Sequence, residues 1–306
     1  MSSRGIEAMI QRRTMLKSLM LAWPCVAGPL GKRSFAQGRS DEPLRRTFSF
    51  GGELREFFVR LPIDFDPDKI YWPLVVVHGG RGNGRTFWMA DAVRREADEL
   101  SLDAIVVAPS FSLKDRRGPA FASLGEGEFL ERILGELRDE YRLRAKILLT
   151  GYSRGGQFTH RYAFQNPEQV EAVAPFSSGT WTTPDGRLLI ESFGEVRDPS
   201  SFLADGTNAA SIPERLRDMF EPRVARAAGL KAKSGAKDIP FLVMCGTLDP
   251  RLSVAEVFAR SLEAGGYMVQ TGWPRTPHGR RGEYPDEFAK YPQRAVEFFV
   301  NHVAEA

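Results

Sequence analysis

Lys146-Ile147-Leu148-Leu149-Thr150-Gly151-Tyr152-Ser153-Arg154-Gly155-Gly156 is the stretch from which the fold can be read. Ile147–Thr150 is a short apolar run of the kind that forms a strand. A Gly-x-Ser-x-Gly turn follows it. Gly156–Gln165 then continues as a helix, closed by Asn166-Pro167. Strand, serine, helix is the setting of a strained turn that lifts one hydroxyl out of the end of a sheet. Side chains two before and two after that serine would collide with the neighbouring strand and helix, which is why Gly151 and Gly155 stand there. The helix that follows aims its N-terminal amides and positive dipole end at whatever the serine attacks.

Outward from this turn, apolar runs alternate with helical patterns. The runs are Glu56–Leu61, Leu74–Val77, Ala104–Ala108, Ala172–Phe176, Phe241–Cys245 and Tyr267–Thr271. Leu74-Val75-Val76-Val77 and Ile105-Val106-Val107-Ala108 are continuously apolar, the mark of strands covered on both faces in a largely parallel sheet. Between the runs, Thr86–Leu100, Glu128–Tyr141, Val254–Glu263 and Pro285–His302 carry apolar stripes at helical spacing, with Pro292 expected to kink or divide the last. The order predicts an α/β fold with a doubly wound, mostly parallel sheet. The alternation fails over 180–238, which reads as an inserted cap or lid with a few helices. Residues 37–46 read as a loose segment before a single domain at 47–303.

A serine so placed needs a base, an acid and donors for a developing oxyanion. Leu74–Val77 runs into His78-Gly79-Gly80-Arg81-Gly82-Asn83-Gly84. Missing side chains there let backbone N–H groups face the reacting oxygen. The donors are assigned to Gly80, with Gly79 second, and to the backbone of Arg154. The spacing of these glycines does not match a phosphate-binding loop. The acid and base follow the serine in the chain. Asp249 ends the run Phe241–Cys245 through Gly246-Thr247-Leu248, at the strand end where doubly wound sheets place their sites. Asp185 is the reserve. Of four histidines, His78 more readily braces its loop than acts as a base. His160 points away from the strand edge, His302 lies on the last helix, and His278 in Pro277-His278-Gly279 is the expected base. Tyr152, Arg81 and Trp181 are the expected substrate contacts. Trp181, with Phe193 and Phe202, either walls an acyl pocket or packs the insertion onto the sheet. No metal-ligand spacing occurs, and no cofactor is expected.

Gly151–Gly156, His78–Gly80, Gly246–Asp249 and His278 together resemble the α/β-hydrolase superfamily, over roughly residues 50–302. The resemblance is to secreted esterases of the polyhydroxybutyrate depolymerase and feruloyl esterase type, and to dienelactone-hydrolase-like enzymes. It implies a serine carboxylic-ester hydrolase working through an acyl-enzyme on a small-molecule or oligosaccharide ester. A peptidase or acyltransferase on the same fold, or a non-catalytic periplasmic binding protein, are the other readings. The disulfides common in secreted polyester depolymerases have no counterpart here, and no separate polymer-binding domain is read in the sequence, which argues against polymer hydrolysis. Ser153-Arg154 also resembles glucuronoyl esterases, in which the corresponding arginine assists the oxyanion hole.

The chain has 306 residues, 42 Lys+Arg and 39 Asp+Glu, for a net charge of +3. That charge sits in residues 1–36, where Arg4, Arg12, Arg13, Lys17, Lys32 and Arg33 face only Glu7. The other 270 residues carry 36 basic and 38 acidic side chains, so a nucleic-acid partner is not expected. Paired Arg12-Arg13, an apolar stretch Ser18–Leu30 and small residues at Ser34 and Ala36 read as a twin-arginine export signal cut after Ala36. The expected partners are the twin-arginine machinery and an ester substrate, the destination periplasmic or secreted, with no stable membrane insertion. Cys25 would leave with the leader, so Cys245 is expected to stand alone as a buried thiol. Arg81, Arg85, Arg154, Arg275, Arg280 and Arg281 crowd the expected mouth. They read either as a solvated rim or as a site for an anionic ester.

Overall fold

The computed structural model describes residues 42–80, 82–111, 126–192, 195–197 and 230–303, all within one compact unit. Strands β1 (Leu44–Phe50), β2 (Glu53–Arg60), β3 (Trp72–Val77), β4 (Ala104–Pro109), β5 (Ile147–Tyr152), β6 (Val170–Phe176), β10 (Phe241–Met244) and β11 (Val269–Gly272) form one eight-stranded sheet. Its order is β1-β2-β4-β3-β5-β6-β10-β11. β2 runs antiparallel to both β1 and β4, and the remaining pairs are parallel. Helices α1 (Trp88–Glu99), α2 (Glu126–Glu140), α3 (Arg154–Gln165), α4 (Leu252–Ala264) and α5 (Pro285–Val303) cover it.

The period of two along each strand divides the core into two layers. Val75 and Val77 of β3, Ile147 and Leu149 of β5, and Phe241 and Val243 of β10 face α2, α3 and α4. Leu74 and Val76, Leu148 and Tyr152, and Leu242 and Met244 face α1 and α5. β3, β4 and β5 are buried along their whole length, so both faces of these strands are covered, as their continuously apolar sequence predicts. Three parallel strands therefore end side by side and release their loops at one edge of the sheet.

Three sequence expectations are corrected. Residues 44–46 are not loose: they begin β1, whose Leu44, Arg46, Phe48 and Phe50 alternate inward. Pro292 does not divide α5, which runs unbroken from Pro285 to Val303 with Pro292 buried. Residues 181–192 of the expected cap include β7 (Trp181–Thr182) and β8 (Leu188–Ser192), which pair antiparallel. Trp181 and Leu189 belong to the main core. β9 (Glu195–Arg197) completes that small sheet. Phe193, Phe202 and the rest of 198–229 lie outside the described residues.

Candidate active site

Ser153 sits between β5 and α3 with φ 57° and ψ −112°, in the left-handed half of backbone space that residues with a side chain rarely occupy. Its N–H donates to the Phe176 carbonyl at 2.9 Å, and its own carbonyl accepts from Gln157 N–H at 3.1 Å, so the strained turn is tied into sheet and helix. The close approach behind it demands glycine. A Cβ on Gly155 would fall inside contact distance of the Val77 carbonyl oxygen, and one on Gly151 would lie 2.7 Å from the Gly155 carbonyl carbon. The result is a hydroxyl held at the sheet edge on a helix N-terminus.

His278 Nε2 lies 3.1 Å from Ser153 Oγ, and His278 Nδ1 lies 2.9 Å from Asp249 Oδ2. The expected serine, histidine and aspartate thus form one chain of hydrogen bonds. Two backbone bonds set the separation of acid and base. Thr247 N–H donates to Pro274 O at 2.8 Å and Leu248 N–H to Thr276 O at 3.1 Å, stitching the turn after β10 to the loop that carries His278. The Asp249 side chain is fully buried. Burial alone would raise its carboxyl. The hydrogen bond and charge of His278, with the N–H and guanidinium of Arg251, outweigh burial and hold it below the ordinary carboxylate value. Asp249 Oδ1 takes the Arg251 N–H at 3.1 Å and Arg251 Nη1 at 3.3 Å, leaving Oδ2 to the imidazole. The reserve acid, Asp185, is exposed and bonded to Thr183 Oγ1 and to Arg187 Nε at 2.9 Å, in a local turn. The histidine's acid partner is Asp249.

The glycine loop after β3 reaches the nucleophile. A Cβ on Gly79 would lie 3.5 Å from Ser153 Cβ, and one on Gly80 3.4 Å from Cδ and Nε of Arg154, whose side chain crosses that glycine. The loop's shape is held from below. His78 is fully buried, with Nδ1 2.7 Å from Gly79 O, and Nε2 accepts the Phe111 N–H at 3.1 Å. Both ring nitrogens are committed, so His78 is a brace and not a base. Burial and the Arg55 charge push His78 below its ordinary value, against the pull of the Gly79 carbonyl, and keep the ring neutral. Arg60, also buried, binds the carbonyls of Gly84 and Arg85 at 3.2 and 3.1 Å and the carboxylate of Asp91, fixing the far end of the loop. Arg81 lies outside the described residues.

The other expected site residues fall elsewhere. Trp181 is fully buried, stacked on Phe258 with ring centroids 4.5 Å apart, and lies beside His160. It packs the insertion onto the core and has no surface to offer a substrate. His160 is buried too, bonding Gly156 O through Nδ1 at 2.8 Å and accepting Thr182 N–H at 3.0 Å, so it braces β7 from α3. Tyr152 is buried behind the imidazole: its ring stacks on His278 at 5.2 Å and 17°, and its hydroxyl accepts the Gly279 N–H at 2.8 Å. Sequence reasoning missed this contact and the Arg251 clamp. Arg251 stands two residues after the acid, the spacing at which an aspartate caps its own turn. Cys245 is buried, and burial pushes its thiol well up, which makes it inert.

No protein-family model matches the sequence, and no curated protein does. Solved structures do. A ferulic acid esterase matches at 17% identity, over 83% of this chain and 98% of that one, with a TM-score of 0.60. A thermostable esterase matches at 20% identity over 85% of this chain, with a TM-score of 0.54, and the chain spans 63% of that protein's length. The fluorophosphonate-binding serine hydrolase F of Staphylococcus aureus matches at 15% identity, over 83% of this chain and 98% of that one, with a TM-score of 0.53. The likeness is one of architecture, and with the strand order and the elbow at Ser153 it gives this chain the α/β-hydrolase fold.

Proposed function

We propose that this chain is a serine carboxylic-ester hydrolase acting through an acyl-enzyme. The observation that carries the reading is the hydrogen-bonded line from Ser153 Oγ through His278 to the buried Asp249, set beside a glycine loop that faces the serine. Ser153 Oγ attacks the ester carbonyl while His278 Nε2 takes its proton. Asp249 keeps the opposite nitrogen protonated and stabilises the imidazolium. The N–H groups of Gly80 and Arg154 receive the oxyanion. His278 returns the proton to the leaving alcohol, then draws a proton from water, which releases the acid.

The names of the structural neighbours point the same way: two are esterases, one of them acting on ferulic acid esters by its name. The proposed substrate is accordingly an ester of a small molecule or of plant or polysaccharide origin. The mouth arginines read as a solvated rim. Arg280 pairs with Glu283 at 3.0 Å and the Arg281 guanidinium lies over Trp88 at 5.2 Å, so both already have partners. Paired neutral and carboxylate-bearing esters decide this point, and equal turnover is expected. We also propose that residues 1–36 export the folded chain by the twin-arginine route to the periplasm or beyond. Replacing Arg12 and Arg13 together by lysine is then expected to leave the chain in the cytoplasm on cell fractionation.

The test of the activity is hydrolysis of short-chain p-nitrophenyl esters. Wild type is expected to turn them over, and S153A to fall by about 10⁴-fold or more with its fold intact. Cleavage of peptides in preference to esters would move the reading to a peptidase.

A further inference from the structure

We propose that Tyr152 is a positioning residue of the hydrolytic reaction, holding His278 in line with Ser153 by stacking on the imidazole and anchoring the Gly279 N–H. This rests on the serine-hydrolase reading above. Tyr152 ends β5, immediately before the nucleophile, and its side chain points to the α1 and α5 face of the sheet. There it is enclosed on several sides. Trp88 of α1 meets its ring edge-on at 6.5 Å, and Phe288 and Tyr291 of α5 approach at 6.2 and 6.1 Å. The imidazole lies on the ring at 5.2 Å and 17°, nearly parallel. A ring so enclosed offers the imidazole a flat platform.

The hydroxyl adds a second restraint. Gly279 follows the base, has φ +73°, and donates its N–H to the Tyr152 hydroxyl at 2.8 Å. The loop from Pro277 to Arg280 lies at the surface; before it the Thr276 carbonyl accepts the Leu248 N–H at 3.1 Å, and at its far end the Arg280 carbonyl accepts the Glu283 N–H at 3.1 Å. Tyr152 pins it one residue beyond the base. Ser153 and the support of its base therefore belong to the same strand end, and a displacement of one carries the other with it. This placement differs from a substrate wall: Tyr152 reaches the reaction through His278.

Tyr152→Phe keeps the ring and removes the acceptor. Tyr152→Leu removes the platform as well. Both are to be measured with p-nitrophenyl esters of several acyl sizes, alongside thermal melting. The far-downfield proton resonance of the imidazole Nδ1–H, assigned by its loss in His278→Gln, is followed in parallel. The expected result is a fall in kcat of about tenfold for Tyr152→Phe and about a hundredfold for Tyr152→Leu. The factor is expected to be the same for each ester, with KM within about twofold and the downfield resonance broadened. A loss carried by KM, a loss that varies with acyl size, or full activity in both variants overturns the proposal. Where Tyr152→Leu does not fold, Tyr152→Phe, which lacks a single oxygen, decides. Wild type that neither hydrolyses any ester nor reacts with a fluorophosphonate overturns the serine-hydrolase reading instead. The resonance then decides for or against Tyr152 without turnover: a signal unchanged in Tyr152→Phe sinks it.

Discussion

Ser153 adopts a backbone conformation that costs an ordinary residue about 1–3 kcal/mol, and the turn keeps it because sheet and helix hold both of its sides. Asp249 is the complementary case, a buried charge held by two partners. Its Oδ2 fixes which imidazole nitrogen carries the proton, so Asp249→Asn is expected to lower kcat by about 10⁴-fold with little change in KM. Steady-state kinetics on a circular-dichroism-matched variant checks this, and a loss under tenfold would assign the acid elsewhere. The residues of this chain of hydrogen bonds were legible in the sequence because each follows a recognisable strand at its C-terminal end. The supports were not. Tyr152 acts on a segment far along the chain, which leaves no spacing to read, while Arg251 shows in the sequence only as the residue two after Asp249 in a turn, and that spacing does not reveal that its guanidinium also holds the carboxylate.

At the level of the elements, the buried parallel strands were readable to within a few residues, since strands covered on both faces are written as continuous apolar runs. β1 was missed because Leu44-Arg45-Arg46-Thr47 reads as polar. Its arginines are satisfied across the surface, Arg45 by Glu56 and Arg46 by Glu140, both at 2.8 Å, while Leu44, Phe48 and Phe50 face inward. β7 to β9 were missed because they are short and interrupted by Pro184 and Gly186. The helix packing behind the nucleophile makes a sharper prediction. Gly155→Ala drives a methyl into the Val77 carbonyl and is expected to cost about 3 kcal/mol or more, lowering Tm by roughly 10 °C. Gly135 lies exposed in the middle of α2 with nothing within 4 Å of an added Cβ. Gly135→Ala is therefore expected to raise stability by about 0.5–1 kcal/mol. Thermal melts of the pair test the assignment, and equal effects would contradict it.

For the whole molecule, acid is the condition to which stability should be most sensitive. His160 and His78 are buried, and burial holds both imidazoles below their ordinary value, with Arg161 adding to this at His160 and Arg55 at His78. On unfolding they regain the ordinary value of about 6.5 and take up protons, so the unfolded state binds more protons below that pH. Stability is then fully present above about pH 6.5 and is lost as pH falls. His160, the more deeply buried of the two, is the larger contributor to this loss below about pH 6.5. Asp249, held low in the folded chain, adds a further loss only below about pH 4. His160→Gln is expected to flatten the slope of Tm against pH in the upper window, whatever it does to Tm itself. An unchanged slope would mean that His160 is not the group that titrates.

The measurement closest to the central claim is reaction of residues 37–306 with a fluorophosphonate, read by intact mass, for wild type and for Ser153→Ala. The reagent marks a serine only where a base removes its proton and an oxyanion site receives the phosphonyl oxygen. One phosphonyl adduct on wild type, placed on Ser153 by peptide mapping and missing from the variant, is the predicted result. A folded wild-type chain that takes no adduct would contradict it and return the molecule to the reading of a binding protein on a hydrolase fold.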